Sequence, residues 1–138
     1  MSNRDFNANV IAEFRANGGK VGGPFAERDL LLLQSVGAKS GQIRTTPLVY
    51  GRDGDRLIII ASKGGSDQHP DWYFNLLANP QVTIEVGSEV WTAHAIEVRE
   101  EPERSRLYAI MVERMPFFAE YAKKAKRVIP VFVLERAV

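Results

Sequence analysis

The chain has 138 residues, of which 18 are basic and 17 acidic, so its formal net charge is only +1. A chain of this length predicts one domain over residues 1–138 that folds without a disulfide or metal. The absence of cysteine and the presence of only two histidines exclude thiol catalysis, zinc–thiolate sites, iron–sulfur clusters and three-histidine metal sites. We therefore expect no metal. The balanced charge argues against nucleic-acid binding.

The sequence has no apolar run close to the roughly 20 residues that cross a bilayer. Its first residues lack the basic start, apolar middle and cleavage site of a secretory signal. These features predict a soluble, cytoplasmic protein.

The first third of the chain predicts one helix followed by a strand. Apolar residues at a spacing of about four indicate a short amphipathic helix within residues 1–17, which Gly18 and Gly19 end. A loop containing Gly22, Gly23 and Pro24 follows. The four leucines at 30–33 then predict a buried strand, because a short apolar run between turn residues is typical of one.

The rest of the chain predicts short strands joined by tight turns. Pro47 places the second strand at a sheet edge or a bulge, and Asp53-Gly54 predicts a hairpin. The expected strands are 43–50, 57–61, 82–86, 91–98 and 128–134, and the expected helices are 70–79, 101–115 and 117–125. About six mainly antiparallel strands with three to four short helices predict an α+β fold with a barrel core.

A glycine turn carries the strongest chemical signal. Lys39 and Arg44 flank the turn 37–41, where converging backbone N–H groups and two cations can hold an anion. The alternative is a solvated hairpin with exposed cations. A second glycine loop, 62–65, brings a hydroxyl and a cation to the end of a strand, where ligands often bind. It can equally be a plain turn.

Three consecutive aromatic residues follow at the start of a helix. Successive side chains on a helix lie about 100° apart, so Trp72, Tyr73 and Phe74 cannot all face the core. One of them is expected to border a pocket or a partner, where a flat conjugated ligand can stack. The alternative is that Trp72 belongs to the core and Tyr73 to the surface.

The remaining polar residues predict no catalytic set of their own. His69 is interpreted as a loop histidine and His94 as a half-buried structural residue. The basic run 123–127, which ends at Arg127, lies at a helix end and predicts a solvated cationic face, with contact to anionic lipid or to an anionic ligand tail as the alternative.

Several ordered motifs together resemble the deazaflavin-dependent nitroreductase family, the actinobacterial enzymes that use coenzyme F-420. The similarity runs from Leu31 to Glu135. It is carried by G-A-K-S-G-x-x-R-T-T-P-L-x-Y at Gly37–Tyr50, D-G-D at Asp53–Asp55, A-S-K-G-G at Ala61–Gly65, P-D-W-Y-x-N-L-x-A-N-P at Pro70–Pro80 and I-P-V-F-V-L-E at Ile129–Glu135.

The resemblance implies a split β-barrel of the FMN-binding type that binds F-420, with FMN as the less favoured cofactor. The cofactor's anionic phosphate and oligoglutamate end would lie near Lys39 and Arg44, and its ring near the strand ends and the aromatic helix. The implied cofactor-binding residues are Ala38, Lys39, Ser40, Arg44, Thr45, Thr46, Pro47, Leu48, Val49, Ile60, Ala61, Ser62, Lys63, Asp71, Trp72, Tyr73, Phe74, Asn75 and Phe118.

The implied reaction is hydride transfer from the reduced deazaflavin to an electron-poor molecule such as a quinone, a nitroaromatic compound or an enone. Ser62 and Tyr121 are the expected catalytic residues. The family's nitroimidazole-reducing member has tyrosines where this chain has Met115, Phe118 and Tyr121, which weakens the expectation of nitroreduction.

Two other functions are compatible with the sequence. They are those of an FMN-dependent reductase and of a non-catalytic deazaflavin-binding protein. The chain can be a monomer or a homodimer, and its N-terminal helix can contact a membrane surface.

Overall fold

The structure is a computed structural model, and it describes residues 3–23 and 29–137. Pro24 of the predicted loop and the first two residues of the predicted helix lie outside them. Within the described residues, four helices accompany seven strands. The helices are α1 (Asn3–Ala16), α2 (Asp71–Ala78), α3 (Glu103–Arg114) and α4 (Phe117–Lys124), and the strands are β1 (Leu30–Val36), β2 (Ile43–Val49), β3 (Gly51–Asp53), β4 (Arg56–Ile60), β5 (Gln81–Val86), β6 (Glu89–Val98) and β7 (Val131–Arg136).

The strands form one antiparallel sheet that curls into a split barrel. Their order is β2-β1-β5-β6-β7-β4-β3. The two edge strands, β2 and β3, are separated in sequence only by Tyr50, whose N–H donates to the carbonyl of Asp29. One stretch of chain therefore begins at one edge of the sheet and ends at the other. The predicted strand 43–50 corresponds to β2, and Pro47 lies on an edge strand as predicted.

Apolar runs in the central strands are buried on both faces. Leu31 and Leu33 of β1 belong to the barrel interior with Trp72 and Phe132, whereas Leu30 and Leu32 pack under α1. Strand β4 is divided in the same way, because Ile59 faces the interior while its neighbours Ile58 and Ile60 contact the cluster built by α3 and α4. Helices cover the outer face of these strands, and the barrel interior covers the other face. Because both faces are buried, the strands do not alternate apolar with polar residues.

Helix α1 is attached to the barrel by its apolar face and by one ion pair. Val10 and Phe14 are buried against β1. The Arg15 guanidinium donates to both carboxylate oxygens of Glu85, at 3.1 and 2.7 Å, and Gln34 donates to the same carboxylate at 2.9 Å. The barrel therefore buries Val10 and Phe14 of this helix, and the suggested contact with a membrane surface has no support. No helix among the described residues is both long enough and apolar enough to span a bilayer.

The last strand begins three residues later than predicted. It starts at Val131 instead of Val128. Pro130 precedes it and has no N–H to donate to a neighbouring strand, although its carbonyl accepts a hydrogen bond from Ala61 N–H. His94 is exposed on β6, so the prediction that it is half-buried is wrong.

Candidate functional site

A cavity of about 1180 Å³ opens beside the glycine turn. Its walls come from three parts of the chain: α1, the turn with the start of β2, and the first turns of α2. The lining residues are Asn7, Ala8, Ile11, Gly37, Ala38, Lys39, Ser40, Ile43, Arg44, Thr45, Thr46, Asp71, Trp72, Phe74 and Asn75. This volume is that of a cofactor-sized site.

The cavity carries two cations without acidic partners. Lys39 and Arg44 are exposed, and neither forms an ion pair with any residue in the described part of the chain. Among the lining residues that the structure describes, Asp71 is the one acidic residue. A cavity wall with two unpaired cations and one carboxylate favours an anionic ligand.

The aromatic residues on α2 have separate roles. Trp72 and Tyr73 are both buried, at 6% and 7% exposure, so the alternative that places Tyr73 on the surface is wrong. Trp72 packs on Phe132 with a centroid distance of 5.9 Å and also lines the cavity. Phe74 is 49% exposed and lies in the same wall. The cavity therefore has flat apolar surface beside its two cations.

Asn75 joins α2 to the glycine turn. Its Oδ1 accepts a hydrogen bond from the Ala38 N–H at 2.9 Å, and its Nδ2 donates to the Ser35 hydroxyl at 3.3 Å. The turn is tight at Gly37, where a Cβ would lie 2.5 Å from the Ser40 hydroxyl oxygen. The buried amide of Asn75 thus holds the segment that presents Lys39.

The second glycine loop lies against α4. Ser62 lies two residues beyond the end of β4 and is buried, and Lys63–Gly65 form a tight turn in which all three residues have positive φ. A Cβ on Gly65 would approach the Tyr121 Cα to 3.2 Å, so glycine allows the helix to pack this closely. The fold thereby brings Tyr121 next to the loop of Ser62.

Of the predicted cofactor-binding residues, one group lines the cavity and another does not. Ala38, Lys39, Ser40, Arg44, Thr45, Thr46, Asp71, Trp72, Phe74 and Asn75 all line it. Pro47, Leu48 and Val49 continue along β2, whereas Ile60, Ala61, Ser62 and Lys63 follow β4 into the second loop. Tyr73 lies in the interior core.

Phe118 does not form a wall of the cavity. It is 3% exposed within the cluster of α3 and α4, and the Tyr108 hydroxyl donates to its carbonyl at 2.7 Å. Met115 belongs to the same cluster, while Tyr121 packs at its edge and is half-buried. Of these three positions on the late helices, Tyr121 therefore presents the most surface.

Sequence reasoning missed the part that α1 plays in the cavity. Asn7, Ala8 and Ile11 line it, although they are separated by about 30 residues from the nearest predicted site residue. The amphipathic pattern predicted the helix but could not indicate what its other face borders. Ile43 was missed as well; it is 67% exposed and stands at the cavity beside Arg44.

A split barrel with a cationic, aromatic-walled cavity beside its glycine turn defines a class of barrel proteins with a cofactor-sized binding site. The model of the family described as F420H(2)-dependent quinone reductase matches residues 7–136. The chain belongs to this family. The predicted resemblance to deazaflavin-dependent enzymes and the predicted α+β split barrel are thus confirmed.

Individual proteins that are similar to this chain indicate the same family. The F420H(2)-dependent quinone reductase of Mycobacterium tuberculosis (strain ATCC 25618 / H37Rv) is 43% identical over 129 residues, which cover 91% of this chain and 86% of that protein. The solved structure of an F420-H2 dependent reductase, FDR-A, is 41% identical with a TM-score of 0.72, and the match covers 78% of this chain and 95% of that one. A second structure, described as a domain-swapped dimer, is 37% identical with a TM-score of 0.74, covering 97% and 100%.

Proposed function

We propose that this chain is an F-420-dependent reductase that transfers hydride from bound, reduced F-420 to a quinone. The observation that carries the proposal is the pair of exposed cations, Lys39 and Arg44, in a cavity that Trp72 and Phe74 line. The family and its relatives supply the class of cofactor and acceptor.

The residues of the cavity fit such a cofactor. Lys39 and Arg44 would hold its anionic end, since a flexible ammonium and a planar guanidinium both bind phosphate and carboxylate. Trp72 and Phe74 provide flat apolar surface for a conjugated ring. Thr45 and Thr46, which line the wall next to Arg44, add hydroxyl donors. The volume of about 1180 Å³ leaves room for a molecule with an extended tail.

The chain's own part in the reaction is positioning and electrostatics. When bound, reduced F-420 supplies the hydride from its C5 atom. Ser62 is buried beside the second glycine loop, and we assign its hydroxyl the role of donor to the acceptor oxygen, where negative charge develops. Tyr121 lies against the same loop and offers a second hydroxyl.

A quinone suits this chain better than a nitroimidazole. Met115 and Phe118 occupy the late-helix positions that carry hydroxyls in the nitroimidazole-reducing member of the family, and both are buried in the core. Tyr121 is left as the single phenol at these three positions. Nitroaromatic compounds and enones remain acceptors to be assayed beside quinones.

The proposal is tested by titrating the protein with F-420 and then mixing it with reduced F-420 and a panel of quinones, nitroaromatic compounds and enones. We expect micromolar or tighter binding and oxidation of the reduced cofactor with a quinone. Copurified yellow flavin with NADPH-dependent activity would instead identify an FMN reductase. Binding without turnover on any acceptor would identify a deazaflavin-binding protein that is not an enzyme.

Replacement of Ser62 by alanine is expected to lower kcat more than it weakens F-420 binding. The reason is that a donor to a developing oxyanion acts mainly in the transition state, where the loss of one typically costs about 100-fold or more in turnover. The measurement is a steady-state analysis with a quinone together with a direct cofactor titration. Ser66→Ala, in the same loop, is the matched control. Equal losses in kcat and binding, or no loss, contradict the assigned role.

Replacement of Asn75 by alanine is expected to weaken F-420 binding and also to lower stability. The change removes the acceptor of the Ala38 N–H and the donor to Ser35, and leaving such buried groups unpaired costs about 1–3 kcal/mol. The turn that presents Lys39 then loses its attachment to α2. Cofactor titration and chemical denaturation measure the two effects, with Asn79→Ala at the end of the same helix as the control. Unchanged binding would show that the turn holds its shape without Asn75.

We also propose that the chain forms a homodimer, because the relative described as a domain-swapped dimer matches it over almost its full length. Sedimentation of the full chain distinguishes a dimer from a monomer.

A further inference from the structure

Arg127 makes an unusual set of hydrogen bonds for a residue of the basic run 123–127. It lies between α4 and β7, and each of its three guanidinium nitrogens contacts the loop 61–69. Its Nε donates to the carbonyl of Ser66 at 3.0 Å, and its Nη1 contacts His69 Nδ1 at 3.0 Å. Its Nη2 donates to the carbonyls of Ala61, Ser62 and Gln68 at 3.1, 3.1 and 2.9 Å. The prediction of a solvated face is therefore wrong for Arg127.

The charge of Arg127 is balanced by carbonyl dipoles. Among the described residues, no carboxylate forms an ion pair with it. Burial lowers the pKa of this guanidinium, yet arginine stays protonated in proteins. A fixed cation that binds four carbonyl oxygens of one loop holds that loop in a single conformation.

The loop needs this support because its own backbone is strained. Lys63 has a φ of +46°, which is an unfavourable value for a residue with a side chain, and two glycines with positive φ follow it. The internal hydrogen bonds of the turn are few: Gly65 N–H donates to the Ser62 carbonyl at 2.9 Å, and Ser66 N–H donates to the Lys63 carbonyl at 3.2 Å. The Ser62 carbonyl thus accepts from both the turn and Arg127.

We propose that Arg127 is a positioning residue for hydride transfer, which clamps the backbone of Ser62 so that the Ser62 hydroxyl faces the acceptor. The inference rests on the proposed function for the role of Ser62. The clamp itself rests on the five contacts of the guanidinium and on the strained turn. Arg127 does not line the cavity beside the glycine turn. Replacing it is therefore expected to lower kcat and to leave cofactor binding nearly unchanged.

His69 completes the clamp in its neutral form. Arginine only donates, so the Nδ1 atom of His69 must accept, and the ring proton sits on Nε2. Burial, and then the charge of Arg127, lower the pKa of His69. The ring stacks on Tyr73 with a centroid distance of 4.3 Å. The charged and titratable groups around it, from every element packed there, are Asp67, Tyr73, Glu97, Arg99, Arg104 and Arg127.

The test compares Arg127→Met with the full-length wild-type protein without cofactor, by hydrogen exchange of the backbone amides of Gly65 and Ser66. Loss of the charged donors is expected to speed their exchange by about 10-fold or more while the amides of the central strands keep their protection. Arg127→Lys should restore part of the protection, because one ammonium can reach some but not all of the carbonyls. Arg136→Met, whose guanidinium covers Trp91 instead, is the control and should leave the loop unchanged.

Activity provides the second measurement. With reduced F-420 and a quinone, Arg127→Met should lower kcat by about 10-fold or more and change the F-420 dissociation constant by less than about 3-fold. Loop exchange equal to that of the wild type, or kcat unchanged in Arg127→Met, would overturn the proposal. If the wild type itself fails to bind F-420, the proposed function fails, while the exchange experiment still decides whether the clamp exists.

The pH dependence of the loop's hydrogen-exchange protection is a third measurement. It would not change if Arg127 and His69 only packed against the loop. A protonated His69 cannot accept from Arg127 and adds a second cation to the site. Because the folded pKa of His69 lies below its ordinary value, the ring is neutral and the clamp is complete at neutral pH, and the clamp is lost as the pH falls through that lowered pKa. Loop protection factors should fall on this acid side in the wild type and stay level in His69→Asn, where an amide oxygen accepts instead. If the loop protection of the wild type varies with pH as little as that of His69→Asn, His69 has no role in the clamp.

Discussion

Neutralising Lys39 and Arg44 together is expected to weaken F-420 binding by about 10- to 100-fold. Both side chains are exposed at the cavity and have no acidic partner among the described residues, so their charge is available to an anionic ligand. Each exposed ionic contact is worth roughly 1 kcal/mol after screening, and two such contacts give the stated range. Titration of Lys39→Gln/Arg44→Gln with F-420 measures the loss, which should shrink at high salt as the wild-type contacts are screened.

The matched control is Lys20→Gln/Arg52→Gln. It removes the same two charges at exposed positions that do not line the cavity. We expect it to bind F-420 as the wild type does, because neither side chain lines the cavity and exposed charges farther apart than about 8 Å are largely screened at physiological salt. If the cavity variant and the control bind equally well, the cations at the glycine turn do not hold the cofactor and the proposed site is wrong.

Replacement of Trp72 by alanine is expected to lower the free energy of unfolding by about 3–5 kcal/mol and to weaken cofactor binding as well. Trp72 is 6% exposed, packs on Phe132 and belongs to the core cluster of the barrel interior. The large side chain cannot be deleted without leaving a void, because its neighbours come from several strands and relax only partly. Chemical denaturation measures the stability, and titration at a temperature well below unfolding measures the binding.

Phe74 offers the comparison that separates packing from binding. It lies two residues further along the same helix and lines the same cavity, but it is 49% exposed. Phe74→Ala should therefore weaken F-420 binding while changing the free energy of unfolding by less than about 1 kcal/mol. A Trp72→Ala protein as stable as the Phe74→Ala protein would contradict the place of Trp72 in the core.

The motifs predicted residues that lie far apart in the sequence but line one cavity in the structure. The glycine turn with Lys39 and Arg44, and the start of α2, line one cavity as predicted. Periodicity placed most strands within a few residues, because turns at glycine and proline mark their ends locally. It missed the late start of β7, since Pro130 interrupts the strand pairing within an apolar run.

Charge patterns were a weaker guide at single residues. The run 123–127 predicts a solvated face, and its three lysines, Lys123, Lys124 and Lys126, are exposed at the end of α4. Arg127 instead turns toward the loop 61–69 and binds its carbonyls. Its partners lie about 60 residues earlier in the chain. A local pattern of charges contains no information on such a contact.

The amino-acid sequence alone determined the family, the class of fold and the cationic turn, because these depend on residue types at fixed local spacing. The tertiary structure alone decided that α1 lines the cavity and that Asn75 attaches the glycine turn to α2. It also decided that Phe118 and Met115 are core residues and that Arg127 binds the loop of Ser62. Each of these depends on which segments meet when the helices pack on the curled sheet. Burial and long-range hydrogen bonds form only on that packing, so no stretch of sequence carries them by itself.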